Sequence, residues 1–579
     1  MNLRGLFAHI GGAVSLVACG LRGDAGVTLR GMFDFACGYR VRGRNAIVGA
    51  ASSSPAYYRR WIRRSEPQLL AKAPPLIAGE IPVSRLVVWL CDGSSAQDTP
   101  SVASVRAAFE PEIAITVIAE ADRTQAIASL RDALSHLPER VWLLPLRGSD
   151  RIANSAAQHI VAALAAHPLA DVVYWDEDVL DGGARSRPWL KPDWDELVFL
   201  AADGLTGASL ICADRSLEAL RNLPASGGFS DLADEFLAKV AQQVSHATCL
   251  HVPLILTHRL SREVPTDRVS ERKTALLREW PGLEDLVVVE GPQGGLRPVF
   301  PLPTPAPAVS IIIPTRDRID LLQVCIAGVN RTEYAGEIEV IVVDNDSEFP
   351  ETRQYLAALA ANGVTVLRHR GRFNFSAINN LAVQAARGDF VCLLNNDIEL
   401  PEPGWLTALM RHAVRPDCGA AGALLLYPDG TVQHAGVAVG VGQAAGHVHR
   451  HVDKNVEGFR WMHRTTRHVS AVTAACLLVS RENYLAVGGM DDACFRVAFN
   501  DVDFCLKLAR AGLRNVFVAE AVLIHHESKT RGSDFDPANR ARFRAELAAL
   551  QSRWHTESVI DPYQHPLLLR SSERAVLAP

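Results

Sequence analysis

The sequence has no CxxC pair, no glycine-rich nucleotide loop, no long basic block and no clean membrane-spanning run. Its eleven cysteines are scattered, and several lie within apolar runs, which predicts small reduced core residues of a cytoplasmic protein. Neither GxGxxG nor GxxxxGK[ST] follows an apolar run, which argues against a dinucleotide fold and a P-loop. The net charge of -5 is spread over both halves, so nucleic acid is not indicated as a partner.

The chain of 579 residues is too long for one ordinary domain, so at least two large domains are expected. The clearest pattern lies at 309–396, which opens VSIIIPTRDR, continues IEVIVVDNDS and closes DFVCLLNND. Each apolar run is rich in Val, Ile and Leu and ends in polar residues, as buried parallel strands do. The segments between the runs, 317–330 and 375–387, have apolar residues at helical spacing. This alternation predicts a doubly wound α/β sheet.

Carboxylate and amide side chains follow the three predicted strands. They stand at Thr315 to Asp317, at Asp344 to Asp346 and at Asn395 to Asp397. Because ligands of open α/β sheets bind at the carboxyl ends of the strands, we expect these groups to converge on one edge.

An earlier stretch repeats the same pattern. SRLVVWLCDGSS, AITVIAEA and ERVWLLPLRGSD follow one another between residues 84 and 150, and each contains an apolar run that predicts a buried strand. An internal repeat of the fold is therefore expected.

The strand ends of the second block resemble those of glycosyltransferase family 2, which has the GT-A fold. The resemblance implies tandem GT-A-like (Rossmann-like) domains with mostly parallel central sheets. It also implies an inverting enzyme that moves a sugar from a nucleotide-sugar donor to a growing bacterial surface polysaccharide or glycolipid. The expected partners are that donor and a saccharide or lipid-linked saccharide acceptor, with peripheral membrane association left open.

The resemblance also assigns the donor side of the site. Asp344 corresponds to the carboxylate that contacts the nucleotide base, while Asp346 either shares that role or caps a turn. Two adjacent amides lie in the helix before the metal strand. The full set of expected nucleotide or donor contacts is Pro314, Thr315, Arg316, Asp344, Asp346, Asn379, Asn380, Asn395 and Asn396.

By the same resemblance, Asp397 and His525 are the expected ligands of Mn²⁺ or Mg²⁺, which would stabilise the diphosphate leaving group. Asn395 stands where the fuller motif has Asp, so the site has one charge fewer. Alignment by the preceding AVLI selects His525 over His526. Lys529 and Arg531 are further candidates for phosphate contacts.

The general base is expected in AFNDVDFCLKLARAGL, whose helical pattern begins at Val502. The stretch resembles the family's Glu-Asp-x-Asp motif, with Asn500 in place of Glu. The resemblance implies that Asp501, the first Asp of this motif, is the general base, and a carboxylate at a helix N-terminus stays ionised, which suits that role. Asp503 is expected to be structural or to position the acceptor. The acceptor side is assigned to Trp405, Asp491 and Asp503.

The first half departs from the family where chemistry is expected. Arg147 follows its third strand and places a cation near the position that a divalent metal would need. Asp176-Glu177-Asp178 are three carboxylates that could hold a metal, but a surface acidic turn without function is the favoured interpretation. The first half is therefore expected to be degenerate.

Segment composition gives the expected division of the chain. The Pro-rich run PLPTPAPA predicts an extended linker. RRWIRRSEP and the apolar segment from Leu6 to Leu21 each allow a helix or a membrane-surface segment. The predicted parts are an N-terminal extension at 1–80, a degenerate GT-A-like domain at 81–260, a linker at 261–307, a catalytic domain at 308–535, and a C-terminal helix and tail at 536–579.

Three alternatives stay open at this stage. In the first, both domains are active and add different sugars, so Asp176 or Asp178 variants would lose one linkage. In the second, the weakened Asn395 and Asn500 positions mark a non-catalytic carbohydrate-binding scaffold. The third, a sugar nucleotidyltransferase, is disfavoured because 315–318 has no glycine. The expected location is the cytoplasm, with the inner face of the cell membrane left open.

Overall fold

The computed structural model describes residues 14–38, 40–72, 82–94, 99–135, 140–224, 227–260, 266–289, 295–526 and 537–579. The chain forms two compact units. The first unit comprises Met1–Val299, Gln564–Leu569 and Val576–Pro579, and the second comprises Phe300–Tyr563 and Arg570–Ala575. The predicted linker is mostly folded, because it contains the helix Thr266–Glu279 and a β-hairpin that belong to the first unit.

The first unit is built on an eight-stranded sheet with the order β2-β1-β3-β7-β5-β8-β4, and β6 pairs with β5. Its first three strands are parallel, and β7 runs antiparallel to both of its neighbours. The strands are β1 (Arg85–Leu90), β2 (Ala114–Ile118), β3 (Val141–Leu146), β4 (Arg151–Ile152), β5 (Val172–Asp181), β6 (Ala184–Trp189), β7 (Ser209–Cys212) and β8 (Cys249–Leu260), followed by the separate hairpin β9 (Asp285–Val289) and β10 (Gly295–Val299).

Helices cover both faces of this sheet, and alternate residues of β1 enter opposite cores, with Val87 and Trp89 on one side and Leu86 and Val88 on the other. Residues 14–23 are also helical. The remaining helices of the first unit are Ala25–Ala36, Arg40–Ser52, Pro55–Arg64, Glu66–Leu70, Pro100–Phe109, Arg123–Ser135, Ala156–Ala166, Glu196–Ala201, Ala213–Arg221, Phe229–Gln243 and Thr266–Glu279.

The second unit has a ten-stranded sheet with the order β13-β12-β11-β14-β21-β16-β22-β15, to which β17 and β20 are added at β16 and β22. The strands are β11 (Val309–Thr315), β12 (Ile338–Asp344), β13 (Thr365–Arg368), β14 (Phe390–Leu394), β15 (Ile398–Glu399), β16 (Cys418–Leu426), β17 (Val432–His434), β18 (Val437–Val439), β19 (Ala445–His447), β20 (Arg467–Val469), β21 (Cys476–Ser480) and β22 (Arg514–His525). Strands β18 and β19 form a separate pair.

Helices also flank the second sheet. They are Ile319–Val329, Pro350–Ala361, Phe375–Ala385, Trp405–Ala413, Arg481–Ala486, Asn500–Arg510 and Pro537–Trp554, with 3₁₀ turns at Val441–Gln443 and Met462–Arg464. The first strand is buried along its whole length, as the apolar run VSIII predicted. Eight of the eleven cysteines are buried and all are free thiols, which agrees with their prediction as reduced residues.

The two units share one core strand order, to which the second unit adds the parallel edge strand β13. In each, a block of parallel strands joined by helices is followed by two antiparallel pairings. A parallel pair comes next, and its last strand pairs with a two-residue strand, β4 or β15. The fold class is therefore α/β in tandem copies, as the repeated pattern predicted. In the second unit, the strands that carry the predicted donor residues, β11, β12 and β14, are parallel, and the pairings beyond β14 are mixed.

The basic helix Pro55–Arg64 does not offer its aromatic side chains to a membrane. Tyr57, Tyr58 and Trp61 are buried, and the Tyr58 hydroxyl donates to Asp178 Oδ2 at 2.6 Å. This corrects the membrane-surface interpretation of RRWIRRSEP, since its apolar face packs within the first unit. The apolar segment from Leu6 to Leu21 lies partly outside the described residues. Within the described ranges, no helix is both long and apolar enough to cross a membrane.

Candidate functional site

The three polar strand ends of the second unit meet, as their sequence positions predicted. Strands β11 and β12 are parallel with Thr315 opposite Asp344, and β14 lies on the other side of β11. The Asn396 side-chain amide donates to Thr315 Oγ1 at 3.0 Å, and the Asn345 N–H donates to the Thr315 carbonyl at 2.9 Å. Thr315 therefore ties the first predicted nucleotide loop to both neighbouring strands.

The loops after β11 and β12 hold each other in place. Asp317 Oδ1 accepts the N–H groups of Glu348 and Phe349 at 2.7 and 2.9 Å, just before the helix Pro350–Ala361. Asp344 Oδ1 accepts the Ser347 N–H at 2.9 Å and is nearly buried. Pro314 is buried, whereas Arg316 is exposed and pairs with Glu348 at 2.8 Å.

The Asp346 carboxylate holds a neighbouring loop. Asp346 Oδ2 accepts the Gly371 N–H at 2.9 Å, and Oδ1 accepts from Arg368 Nε at 3.2 Å. The Gly371 hydrogen bond, followed by Arg368, lowers the pKa of Asp346 below its ordinary value. These bonds reach the loop at 368–371 and not the turn that follows Asp346, so its contact with the nucleotide stays a prediction.

The two adjacent amides of the helix Phe375–Ala385 have different surroundings. Asn380 Oδ1 accepts from the Tyr484 hydroxyl at 2.7 Å and the Met490 N–H at 3.0 Å, while its Nδ2 donates to the Met490 carbonyl at 2.8 Å. Both the oxygen and the nitrogen of the Asn380 amide are therefore hydrogen-bonded within the protein. Asn379 donates to the Phe375 carbonyl at 2.8 Å, and its buried Oδ1 has no hydrogen-bond partner within the described ranges.

Asp397 and His525 form the centre of the candidate site, although 127 residues separate them in sequence. The cause is the pairing of β15 with β22, which sets Ile398 opposite His525. Asp397 Oδ1 lies 3.1 Å from His525 Nε2, and both side chains are nearly buried. A carboxylate oxygen and an imidazole nitrogen at this spacing fit the ligand preferences of Mn²⁺, and the carboxylate also suits Mg²⁺. We call this pair the Asp397–His525 centre.

Two side chains near this centre were not predicted. Gln433 Oε1 lies 2.7 Å from His525 Nδ1. Arg318 lies within electrostatic reach of Asp397. Its pKa is raised mainly by its hydrogen bond to Asp320 and to a smaller extent by the negative charge of Asp397. The sequence did contain TRDR, but nothing in it favoured Arg318 over Arg316. Lys529 and Arg531, the other predicted phosphate contacts, lie outside the described residues.

Asp501 stands at the second position of the helix Asn500–Arg510 and is half-buried. Its Oδ2 accepts the Ala474 N–H at 3.2 Å, and its Oδ1 accepts the Val502 N–H at 2.9 Å. The adjacent Ala475 carbonyl accepts the Asn395 N–H at 3.0 Å. One dipeptide therefore connects the predicted base to the strand end that leads into Asp397.

The predicted acceptor residues are mostly used by the fold. Asp503 is fully buried, and its Oδ1 accepts from Arg553 at 2.8 Å and from Trp554 at 2.9 Å. Arg553 also donates to Asp491 at 2.8 Å. Trp405 is 1% exposed and donates its indole N–H to Thr332 at 3.0 Å. The structure therefore corrects the acceptor assignment of Trp405 and Asp503, since neither presents a surface to a ligand.

In the first unit, the charges of two arginines act on the residue that is equivalent to Asp397. Asp150 immediately precedes β4, as Asp397 precedes β15, and β4 pairs with β8 so that Arg151 is opposite His258. Burial raises the pKa of Asp150, against the opposing charges of Arg259 and Arg147. Arg147 is paired with Asp203 at 2.9 Å. His258 contacts Asp178 at 2.7 Å instead of completing a pair with Asp150.

The three carboxylates at 176–178 lie within a strand, so the surface acidic turn is wrong. All three are buried in β5. Asp178 accepts from Arg185 at 2.6 Å, and Glu177 pairs with Arg259 at 2.6 Å and with Lys191 at 3.2 Å. Internal cations therefore neutralise Glu177 and Asp178, whereas Asp176 contacts two histidines. Buried carboxylates are ordinarily compensated in this way.

Asp176, His251 and His565 bring three ligand atoms within 4.8 Å of one another. The hydrogen bonds nevertheless favour a proton network. His565 Nδ1 accepts the Leu567 N–H at 3.1 Å, so the proton of the neutral ring stands on Nε2, 2.6 Å from Asp176 Oδ2. His251 Nε2 lies 3.1 Å from Asp176 Oδ1, with Asp193 at its other nitrogen. Both rings therefore donate to the buried carboxylate.

This network predicts a pH-dependent stability. Burial alone would lower the pKa of His251, but Asp176 and then Asp193 outweigh it and raise the pKa above its ordinary value. A raised pKa stabilises the folded protein below the unfolded pKa of about 6.5, and the contribution disappears as the pH rises through the folded value. We expect His251→Gln to destabilise the first unit by about 1–3 kcal/mol at pH 6 and by less at pH 9.

Calorimetric unfolding of the wild type and the variant at both pH values measures this difference. His167→Gln is the matched control, because His167 is exposed. An equal destabilisation by His251→Gln at the two pH values would contradict the charged network.

Comparison with known proteins identifies relatives of both units. Residues 310–481 match the family described as Glycosyl transferase family 2. The chain is 34% identical over 515 residues to "Uncharacterized protein y4gI" of Sinorhizobium fredii, an alignment that covers 84% of this chain and 55% of that protein. It is 31% identical over 437 residues to "O-antigen biosynthesis protein RfbC" of Myxococcus xanthus, which covers 73% of this chain and 33% of the relative.

A shorter match concerns "N-acetylglucosaminyl-diphospho-decaprenol L-rhamnosyltransferase" of Mycobacterium tuberculosis, with 30% identity over 155 residues that cover 25% of this chain and 50% of the relative. Among solved structures, a mannosyltransferase of Pyrobaculum calidifontis in complex with GDP-Man and Mn²⁺ matches with a TM-score of 0.34 and 19% identity, covering 46% of this chain and 70% of that one. The chain thus spans between a third and just over half the length of these curated relatives.

Proposed function

Since the chain carries a domain of glycosyltransferase family 2, we propose that its second unit transfers a sugar from a nucleotide-sugar donor with inversion at the anomeric carbon. The acceptor is a growing bacterial surface polysaccharide or glycolipid, in line with the names of the two relatives from Myxococcus and Mycobacterium. The observation that carries the proposal is the 3.1 Å approach of Asp397 to His525, with Asp501 linked through the dipeptide 474–475 to Asn395, two residues before Asp397.

Asp397 and His525 are the residues that would hold Mn²⁺ or Mg²⁺. A bound divalent ion supplies charge stabilisation for the departing diphosphate. Asn395 completes the edge of this centre, because its Nδ2 lies 3.5 Å from His525 Nε2. An asparagine here lowers the negative charge of the centre by one relative to a second carboxylate, which weakens cation binding without removing it.

Asp501 accepts the proton of the acceptor hydroxyl as the hydroxyl oxygen attacks the anomeric carbon. Three features suit Asp501 to the role of general base, since it is half-buried, it stands in the first turn of a helix, and the Ala474 N–H fixes one carboxylate oxygen. Direct displacement needs only one such base. The attacked carbon inverts because nucleophile and leaving group stand on opposite faces.

The loops after β11 and β12 form the nucleotide side in this proposal. Thr315 and Asp344 stand opposite each other at adjacent strand ends. Neither predicted amide offers a free polar atom at the surface, because Asn379 is fully buried and Asn380 holds Tyr484 and Met490. Arg318 is added as a candidate contact for the diphosphate.

The first unit is proposed to be non-catalytic. Asp150 occupies the position equivalent to Asp397, but Arg147 and Arg259 supply the positive charge around it. A divalent cation would meet two guanidinium groups there, and like charges in a buried site repel strongly. Within the described residues, the alternative with two active domains therefore has no counterpart of the Asp397–His525 centre at the equivalent position of the first unit.

The experiment that tests the function is a donor screen. The purified chain is incubated with a panel of nucleotide sugars and Mn²⁺, and release of the nucleoside diphosphate is measured with and without saccharide or lipid-linked acceptors. The proposal expects one donor to be consumed and NMR of the product to show an inverted anomeric centre. Retention of configuration would refute the direct displacement, and binding without turnover would favour the scaffold alternative.

We also propose that the chain works at the cytoplasmic face of the cell membrane. The helix Ala25–Ala36 exposes five large apolar side chains by 42 to 68%, which are Val27, Leu29, Met32, Phe33 and Phe35. Residues 14–52 contain five arginines, two aspartates and neither lysine nor glutamate. A helix with several exposed apolar side chains and a surplus of positive charge nearby fits the interface of an anionic bilayer.

The corresponding prediction concerns vesicle binding. Leu29→Glu with Phe33→Glu is expected to weaken binding to vesicles rich in phosphatidylglycerol at least 10-fold, since burying each side chain contributes about 1.5–3 kcal/mol. Leu169→Glu, at an apolar residue that is 82% exposed, is the control and is expected to bind like the wild type. Co-sedimentation with anionic and with neutral vesicles measures this. Equal binding by the double variant would contradict the proposed surface.

A further inference from the structure

Gln433 contacts the side of His525 that faces away from Asp397. Its Oε1 lies 2.7 Å from His525 Nδ1, and the two side chains are 3% and 8% exposed. An amide oxygen accepts a hydrogen bond, so Nδ1 carries the proton that it receives. The other ring nitrogen, Nε2, then has no proton to donate, so its lone pair and Asp397 Oδ1 face each other at 3.1 Å as two ligand atoms for one cation.

A β-bulge places Gln433 in this position. The pairing of β17 with β16 shifts from Leu425 opposite His434 to Leu426 opposite Val432, which leaves Gln433 as the extra residue on β17. A bulge turns one side chain out of the regular alternation. The next residue, His434, contacts a different partner, with its Nδ1 2.9 Å from His447 Nδ1.

A second neighbour is consistent with the same proton position. Asn395 Nδ2 lies 3.5 Å from His525 Nε2, a long contact in which the amide group is the donor and the ring nitrogen the acceptor. Asn395 therefore donates to His525 Nε2, and His525 in turn donates from Nδ1 to Gln433. The imidazole has its proton at Gln433 and its lone pair at the Asp397–His525 centre.

We propose that Gln433 is the positioning residue of this centre, where it holds His525 in the tautomer and orientation that present Nε2 as a ligand next to Asp397. The inference rests on the proposed function, because it assigns a role within the same metal site. Groups that hold the second nitrogen of a ligating histidine fix its tautomer and ring orientation, and their loss typically weakens metal binding about 10- to 100-fold.

The first experiment measures Mn²⁺ binding directly, through the electron paramagnetic resonance signal of free Mn²⁺ in titrations of the full chain. Gln433→Leu is expected to raise the Kd for Mn²⁺ about 10- to 100-fold. Gln433→Glu is expected to restore the affinity, because a carboxylate accepts the same Nδ1–H. Gln354→Leu, at an exposed position of the helix Pro350–Ala361, is the matched control with wild-type affinity. Equal affinity in Gln433→Leu and wild type would overturn the proposal.

The second experiment needs no metal and separates this inference from the proposed function. The chain is labelled with ¹⁵N-histidine, His525→Gln assigns the signal, and spectra are recorded at pH 8.5, well above the ordinary imidazole pKa of about 6.5. The proposal expects the proton of His525 on Nδ1 in the wild type and a shift toward Nε2 in Gln433→Leu. A proton on Nε2 in the wild type would overturn it, whether or not Mn²⁺ binds.

Kinetics provide a third test once a donor is known. A positioning role predicts that Gln433→Leu lowers kcat/KM at limiting Mn²⁺ and recovers much of it at saturating Mn²⁺. A role limited to holding β17 would lower activity equally at all Mn²⁺ concentrations and would be accompanied by a fall in Tm. That pattern would refute the positioning role.

Discussion

Asp397→Asn is expected to lower kcat/KM for sugar transfer about 1000-fold, because the substitution removes the carboxylate of the Asp397–His525 centre while keeping its shape. A loss of about 4 kcal/mol of transition-state stabilisation corresponds to that factor. Steady-state release of nucleoside diphosphate at saturating Mn²⁺ measures the effect. The Tm is expected to change little, since an amide still fits beside His525.

Asp150→Asn is the matched control in the first unit. Asp150 has the equivalent topological position before β4, but it lies within the electrostatic reach of Arg147 and Arg259. The account expects this variant to keep its transfer activity. Loss of one of two linkages in Asp150→Asn, or full activity in Asp397→Asn, would show that the catalytic unit has been assigned incorrectly.

Asp501→Asn is expected to lower kcat about 100- to 10,000-fold, since the amide cannot take the proton of the acceptor hydroxyl. Its hydrogen bond from the Ala474 N–H can be kept by the amide oxygen, so folding is preserved. Donor binding is not expected to change, because the lost group acts on the acceptor. Single-turnover measurements with a preformed donor complex separate these two steps.

Asp503→Asn gives the contrasting result on the same helix. The Asp503 carboxylate is buried and holds Arg553 and Trp554 of the C-terminal helix Pro537–Trp554. Removing its charge leaves Arg553 with a weaker partner, so a lower Tm is expected together with nearly normal kcat. A large fall in kcat with unchanged Tm in Asp503→Asn would instead make Asp503 the base.

The sequence predicted the edge of the site because strand ends follow simple rules. Each apolar run of the second unit ends where its polar residues begin, and parallel strands bring those ends together. The assignment of His525 over His526 needed the family resemblance, and the pairing of Ile398 with His525 then placed it beside Asp397.

The sequence could not predict which polar residues the fold uses for itself. Asn379 and Asn380 are adjacent in sequence, yet Asn380 is fully engaged by Tyr484 and Met490. Trp405 was expected to contact the acceptor by resemblance to polysaccharide glycosyltransferases, but it fills the core. The hydrogen-bond partners of Trp405 and Asn380 lie about 70 to 110 positions away in the sequence, so no local sequence pattern could predict them.

Gln433 is the opposite case, a residue near the site that the sequence offered no reason to select. A glutamine between Val432 and His434 in a short strand carries no signal of its own. Its contact with His525 arises from a bulge against β16, and a bulge depends on the register between two strands. The acidic run at 176–178 likewise required the structure, since only the strand β5 shows that its three carboxylates are buried.

The most direct test of the central claim, that the Asp397–His525 centre binds the donor with a divalent cation, is a thermal-shift series. Wild type and Asp397→Ala are measured with common nucleoside diphosphates, each with and without Mn²⁺. The account predicts that one nucleotide raises the Tm of the wild type only when Mn²⁺ is present, and that Asp397→Ala loses this increase. Stabilisation that persists in the variant, or no response of the folded wild type to any nucleotide, would contradict it.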